Sequence, residues 1–189
     1  MLIDFLVISI AVGLIRRGNF RGLAAIPLRK VEFIFLSFII RYLPLFLRGR
    51  LYELAVKYNV IIAAAAYAAL LYGLASNWHI KAMRPVALGV FLNFLVIAVN
   101  GGKMPVSLKA VETAGLADLK LLLFDRNYLY HAAVNSATKL KFLGDVIPLP
   151  PPYPKPRVFS IGDFIMGLGI FFTIQQAMLK KSSTSDKII

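Results

Sequence analysis

Five long apolar runs, separated by short polar connections, dominate the pattern of this chain. A continuous apolar stretch of about 20 residues suits a membrane-spanning helix, whereas a half-buried strand would alternate apolar and polar positions. The pattern therefore predicts an all-α, multi-span membrane protein with about five transmembrane helices in a single membrane domain. The first run has 14 residues and covers about 21 Å, which is short of a hydrocarbon core of about 30 Å. The runs comprise residues 2–15, 31–47, 60–75, 85–99 and 158–179.

One long segment, residues 103–157, contains no apolar run, and we call it the lid. Ser107 is a typical helix N-cap and Gly115 a typical helix stop, which predicts a short helix between them. Leucines at helical spacing over 116–123 predict a second, amphipathic helix that lies on the membrane. Proline fixes φ and lacks an amide donor, so the run 148–156 predicts a stiff, extended strap. The lid as a whole is expected to be amphipathic or irregular.

Composition favours a membrane protein over a soluble domain. The chain is 59% hydrophobic and 16% charged, whereas soluble domains have about 45–50% apolar and about 25% charged residues. A net charge of +13 would suggest nucleic acid in a soluble protein. Here the basic residues flank apolar runs, so we expect the lipid bilayer and anionic lipid headgroups as partners, and no nucleic acid. A membrane-protein partner or a homo-oligomer is also possible. The absence of cysteine excludes disulfides and thiolate ligands.

The distribution of Lys and Arg predicts the orientation. Ten fall in the first connection, the third connection and the tail, against three in the second connection. Positive connections stay in the cytoplasm, so we expect the N-terminus and the lid outside and the C-terminus, with a disordered tail over 182–189, inside. Alternating spans then bring Asp4, Arg41, Asn100 and Asp163 to the face that the lid covers. A charge inside a span costs about 2.5–3.5 kcal/mol, so Arg41 and Asp163 are expected to pair there, directly or through water.

Polar residues at this face define a candidate polar cleft. Gly101 and Gly102 end a helix, but paired glycines can also offer backbone amides to an anion beside Lys103. Asp163 can stabilise a helix start or serve in proton, metal or acid–base chemistry with His131 and Asp145. Their spacing matches no metal signature, so no metal or cofactor is expected, and no catalytic residue can be assigned. The candidate residues are Arg41, Asn93, Asn100, Gly101, Gly102, Lys103, His131, Asp145, Ser160 and Asp163.

Three motifs resemble a known family. They are Asn-Gly-Gly-Lys-Met-Pro-Val at 100–106, Phe-Leu-Gly-Asp-Val-Ile-Pro at 142–148 and Val-Phe-Ser-Ile-Gly-Asp at 158–163. With the short N-terminal run followed by arginines, the chain resembles a bacterial family of small integral membrane proteins, the domain of unknown function 5317. The resemblance covers essentially the whole chain and implies a protein of the bacterial cytoplasmic membrane. It implies no activity and no catalytic residues.

Three functions fit these patterns. We favour a non-enzymatic accessory or scaffold subunit, in which the lid packs over the polar cleft. The alternative is a membrane enzyme or carrier that acts on an anionic lipid, such as a phospholipid or an isoprenoid phosphate, and the third is a small transporter. A sealed Arg41–Asp163 pair without a cavity favours the scaffold, whereas a water-accessible cavity that reaches Asp163 favours lipid or solute handling.

Overall fold

Helices account for most of the computed structural model, which describes residues 1–180. The prediction of a disordered tail at 182–189 lies outside the described residues. The prediction of a mostly helical protein is confirmed. In chain order the helices are α1 (Leu2–Ile15), α2 (Arg21–Ala24), α3 (Val31–Tyr42), α4 (Arg50–Lys57), α5 (Asn59–Ala75), α6 (Met83–Val99), α7 (Leu108–Thr113), α8 (Ala117–Leu122) and α9 (Ile161–Leu179).

The five longest helices form a layer in the order α1, α9, α6, α5, α3, in which α9 lies between α1 and α6. Phe5 packs on Phe164 and Gly13 approaches Met178, so α1 and α9 run parallel. The other neighbours run antiparallel. One end of the layer, which we call the lid end, therefore collects the starts of α1, α5 and α9 and the ends of α3 and α6.

Close backbone approach holds this layer together. A side chain at Gly89 of α6 would meet the carbonyl oxygen of Gly162 in α9, and one at Gly169 would meet the backbone of Val86 at 2.7 Å. Small residues permit such contacts between helices. The α6–α9 contact fixes the position of Asp163 relative to the centre of the layer.

Helix boundaries differ from the apolar runs at two places. Pro44 cannot donate a backbone hydrogen bond, and the 31–47 run accordingly leaves the α-helix at Tyr42 and continues as a 3₁₀ turn over Leu43–Phe46. The 158–179 run does not begin as a helix, because Val158 and Phe159 belong to a strand and the side chain of Ser160 caps α9. Hydrophobicity alone does not reveal either boundary.

The long helices differ in whether they could cross a bilayer. Within residues 1–180, α9, with 19 residues, is long and apolar enough to cross a bilayer alone. The pair α4 and α5, which is bent by 71°, would add a second span if it were counted as one unit. The apolar helices α1 and α6 have 14 and 17 residues. The arrangement of five spans stays a prediction.

The lid is more ordered than expected and contains strands. Strand β1 (Met104–Val106) pairs in parallel with β2 (His131–Ala133), and β3 (Ile147–Leu149) pairs antiparallel with β4 (Arg157–Phe159). The short helices predicted after Ser107 and near 116–123 are present as α7 and α8. The prediction of an extended strap over 148–156 is wrong. Strands β3 and β4 pair side by side, and the prolines between them lie in the turn where the chain reverses its direction.

Candidate functional site

A cavity of about 590 Å³ lies under the lid at the lid end of the layer. Its walls come from α3 and the 3₁₀ turn after it, from α5, α6 and α9, and from the lid, and most of the lining residues are apolar or aromatic. On the α3 side Phe38, Tyr42 and Leu45 remain about half exposed, so the cavity opens sideways there. Its ionisable lining residues, tyrosines aside, are Arg41, His131, Asp145 and Asp163.

Arg41 enters the cavity near the end of α3 and contacts neutral oxygens. Its guanidinium donates to Asn59 Oδ1 at 3.1 Å and to the Gly102 carbonyl at 3.0 Å, and it lies 4.8 Å from the centre of the Tyr130 ring. Among residues 1–180, Arg41 forms no ion pair. The predicted direct Arg41–Asp163 pair is therefore wrong, and the cation is held by polar groups that leave some of its N–H donors unused.

Asn59, at the start of α5, connects α3, the turn after α6 and the lid through hydrogen bonds. The sequence analysis did not predict it as a residue of the site. Its side chain is buried, and its amide group donates to the carbonyls of Gly102 at 3.0 Å and Leu129 at 2.8 Å. Its oxygen accepts from Arg41. Asn59 directly precedes an apolar run, where a polar residue indicates only a helix boundary. No signal in the sequence distinguishes this Asn from an exposed one.

Strand β1 positions His131 and Asp145 on its two sides. His131 lies opposite Met104 in the β1–β2 pair, and the backbone of Asp145 bonds to Pro105 and Ser107. His131 Nε2 is then 3.8 Å from Asp145 Oδ2, and His131 Nδ1 is 3.2 Å from the Tyr128 hydroxyl. Asp145 Oδ1 is buried and has no hydrogen-bond partner within residues 1–180.

The surroundings of this pair favour neutral forms. Burial, together with the nearby Asp163, raises the pKa of Asp145 well above its ordinary 3.8. Burial, together with Arg41, lowers the pKa of His131 from 6.5 to about 4. The His131 side chain is 35% exposed, but it faces the cavity, where surrounding protein limits hydration. The pair can thus take up or release a proton when a charged ligand enters.

Asp163 and Ser160 form a capping box at the N-terminus of α9, in which the side chain of each accepts from the backbone N–H of the other. The Ser160 hydroxyl accepts from the Asp163 amide at 3.0 Å, and Asp163 also accepts from Asn93 at 2.8 Å. Ser160 and Asn93 are both buried and bond to each other at 2.9 Å. Arg157 forms no ion pair with Asp163 in the described residues and instead lies 3.1 Å from Asp4. Ser160 supports the cavity wall from behind, whereas Asn93 and Asp163 line the cavity.

The turn after α6 has a structural role. Gly101 and Gly102 have φ of 69° and 81°, the left-handed region that favours glycine. The backbone N–H of Gly102 donates to the Ile97 carbonyl at 2.9 Å, so the two glycines do not offer a pair of free amides to an anion. Lys103 Nζ instead bonds to the Arg126 carbonyl at 2.8 Å, outside the cavity.

Asn100 also lies outside the cavity. Its side chain accepts from the Lys139 amide and donates to the Lys139 carbonyl, both at 2.9 Å. This double contact attaches the lid to the end of α6. Asn93 and Asn100 share one helix face but have different roles: Asn93 lines the cavity, whereas Asn100 holds the lid.

The arrangement is suited to binding an anion beside an acid–base pair. Arg41 supplies an unneutralised positive charge, and His131 and Asp145 supply titratable groups a short distance away. Within residues 1–180, no three His, Asp or Glu side chains form a group that could hold a metal ion. The metal hypothesis for His131, Asp145 and Asp163 therefore has no support in their geometry.

Comparisons with known proteins give the chain a family. An uncharacterised protein of Thermotoga maritima is 25% identical over 171 residues, which are 90% of this chain and 88% of that protein. No solved structure matches. Residues 25–175 match the profile described as "Family of unknown function (DUF5317)", and this stretch includes all three motifs quoted above. Because the match covers well over half of the chain, the protein belongs to the DUF5317 family.

Proposed function

We propose that this is a multi-pass membrane protein whose cavity binds an amphiphile, with the anionic headgroup at Arg41 and the apolar chain along α3. The observation that carries the proposal is the Arg41 guanidinium, which lines a partly open cavity without a carboxylate partner among residues 1–180. A half-buried cation is costly unless it is paired. An anionic ligand would supply the missing charge, and the unused guanidinium donors suit a phosphate or a carboxylate.

The apolar surface of the layer supports placement in a membrane. On α1, Ile3 and Ile15 are 72% and 81% exposed, and on α3, Phe35 and Ile39 are 67% and 60% exposed. Soluble monomers rarely leave such contiguous apolar patches in water. A bilayer would cover these faces. The helices are shorter than about 20 residues, so the bilayer would have to thin around them or the flanking basic side chains would have to snorkel.

The shape of the cavity supports an amphiphile over a small soluble anion. Phe38, Leu45 and Leu70 line it together with the polar groups under the lid. The half-exposed Phe38 and Leu45 mark its open side. A headgroup can therefore reach Arg41 while its chain leaves the cavity sideways between apolar side chains.

Lipid retention tests this function. Wild-type protein and Arg41→Gln are purified in mild detergent, and bound lipid is counted per chain by native mass spectrometry. We expect Arg41→Gln to retain one anionic lipid fewer per chain than the wild type, because glutamine keeps a polar side chain but removes the charge. Arg48→Gln, which changes an exposed arginine close in sequence, is the control and should retain the lipid. Equal retention by all three proteins would contradict the proposal.

An accessory or scaffold role is the second candidate, and the edges of the layer favour it. The edge helix α1 packs mainly on α9, and the edge helix α3 mainly on α5, so both present an apolar outer face. Another membrane protein or a second copy of this chain could cover these faces. Purification that yields a lone monomer, with no co-purifying protein, would count against this role.

A further inference from the structure

A second cavity, of about 530 Å³, lies at the end of the helix layer opposite the lid. It is formed by the connection between α1 and α3, the connection between α5 and α6, and the last turns of α9. We call this end of the layer the basic end, and we define it by residues 16–30, residues 76–84 and Lys180. Within residues 1–180 it shares no lining residue with the cavity under the lid.

Contacts on two sides fix the walls of this cavity. Gly22 lies so close to the Ala177 carbonyl that a side chain at this position would collide with it, and the Asn19 amide donates to the Met178 carbonyl at 3.0 Å. On the other side, buried Asn77 bonds to both the amide and the carbonyl of Arg29, at 2.8 and 2.6 Å. The connection between α1 and α3 is thus held firmly across the helix ends.

The charge around this cavity is of one sign. Arg21, His79 and Lys180 line it, and its lining within residues 1–180 contains no Asp or Glu. The basic end carries eight Lys and Arg residues and no acidic residue, and the nearest acid in sequence is Glu32. In the part of the chain that the structure describes, neither Arg21 nor Lys180 forms an ion pair. Such a concave basic surface attracts anions.

The remaining lining combines apolar and polar groups. Ile26 and Ile80 provide apolar walls, and Thr173 contributes a hydroxyl. Next to the cavity, Trp78 is 53% exposed with the Arg84 guanidinium 5.5 Å from its ring centre. Tryptophan with basic residues at a helix end is typical of the headgroup layer of a membrane. An amphiphilic anion fits this lining better than a fully hydrated one.

From these contacts we infer that the basic end holds a site for the phosphate of an anionic phospholipid headgroup, bound between Arg21 and Lys180. The inference rests on the membrane placement proposed above, but not on a ligand in the cavity under the lid. Basic pockets between helix ends on the cytoplasmic side suit such headgroups. Phosphatidylglycerol is a suitable probe, and phosphatidylcholine is its neutral counterpart.

The experiment compares lipid affinity in detergent by native mass spectrometry. Arg21→Gln/Lys180→Gln should bind phosphatidylglycerol about thirtyfold more weakly than the wild type, because two basic contacts are lost. Arg50→Gln/Lys57→Gln, which removes two exposed charges from α4, is the matched control and should bind like the wild type. Arg21→Lys/Lys180→Arg keeps the charges and should restore binding. Equal affinity in the wild type and the double glutamine variant, with helix content unchanged by circular dichroism, would overturn the inference.

Two further arms separate the possible sources of the anion and the two cavities. If inorganic phosphate at millimolar concentration raises the Tm of the wild type as much as phosphatidylglycerol does, the site takes soluble phosphate and the lipid assignment fails. Arg41→Gln should leave the thirtyfold difference intact. If instead Arg41→Gln alone abolishes binding of the probe, the lipid occupies the cavity under the lid and the site at the basic end is refuted.

Discussion

The two ends of the helix layer treat charge in opposite ways. At the lid end, Arg41, Asp145 and Asp163 are at least partly buried, and Arg41 and Asp163 are held by hydrogen bonds to neutral groups. At the basic end, many cations are exposed and few have partners among the described residues. The first arrangement depends on exact packing, whereas the second depends on the number of charges. Single substitutions at the lid end should therefore lower the stability or the ligand binding of the protein strongly. Substitutions at the basic end should have a large effect mainly when several charges are removed together.

The largest effect is expected for Asn59→Leu. This change leaves the Leu129 carbonyl and one Arg41 N–H without partners and removes one of the two donors to the Gly102 carbonyl, and each unsatisfied buried group costs about 1–3 kcal/mol. We expect a loss of about 3 kcal/mol in the free energy of unfolding, together with loss of the lipid bound at Arg41. Denaturant unfolding in detergent and native mass spectrometry provide the measurements.

Asn77→Leu is the matched control at the other end of α5. Asn77 is also fully buried and makes three backbone contacts, so a similar loss of stability is expected. The lipid at Arg41 should nevertheless remain. Loss of that lipid from both variants would show that retention reports stability and not the site.

A smaller effect is expected for Gly102→Ala. Both glycines of the turn after α6 have positive φ, which costs another residue about 1–2 kcal/mol. A side chain at Gly102 would also meet the Asn59 backbone at 2.8 Å, whereas one at Gly101 would meet nothing within 4 Å. Gly102→Ala should therefore destabilise the protein by more than Gly101→Ala in the same unfolding assay. Equal losses would mean that the backbone conformation alone matters.

The next effect is a gain in stability at neutral pH for Asp145→Asn. Because burial raises the pKa of Asp145, its contribution to stability is fully present below pH 3.8 and is lost as pH rises toward the raised pKa. A neutral asparagine avoids this loss, so the variant should have a higher Tm than the wild type at pH 7–8 and the same Tm below about pH 3.8. Glu32→Gln, which changes a carboxylate that is 61% exposed, should show no such difference. A lower Tm for Asp145→Asn at pH 8 would contradict the expectation.

The smallest effect is expected at the two histidines, because the His131 side chain remains 35% exposed. Burial and Arg41 lower its pKa to about 4, so the stability it contributes is fully present above pH 6.5 and is lost as pH falls toward 4. In His131→Gln the Tm should fall less between pH 7 and 5 than in the wild type. His79→Gln changes the exposed histidine of the basic end and should follow the wild type. Identical curves for all three proteins would exclude titration of His131 in this range.

The sequence was informative about the basic end and much less so about the lid end. The distribution of Lys and Arg identifies the basic connections, and helix-capping signals identify Ser107, Gly101 and Gly102, because both depend on neighbours in the chain. The partners of Arg41 could not be predicted in this way. Asn59 lies 18 residues away and Gly102 lies 61 residues away. Arg41 contacts a side-chain oxygen of the first and a backbone carbonyl of the second, and no sequence pattern indicates which distant oxygen a side chain will reach. Opposite charge alone predicted a pair of Arg41 with Asp163. Arg41 instead contacts neutral oxygen acceptors that lie nearer to it.

The position of α9 has a consequence for how the protein is made. Helix α9 leaves the ribosome after α6, yet it lies between α1 and α6. During synthesis α3, α5 and α6 can assemble as consecutive neighbours, whereas α1 lacks its main partner until α9 has been translated. Asp163 is part of that same helix. The cavity is therefore completed only after α9 has been made, and until then the nascent chain exposes an unoccupied seam between α1 and α6 that chaperones or the insertion machinery must protect.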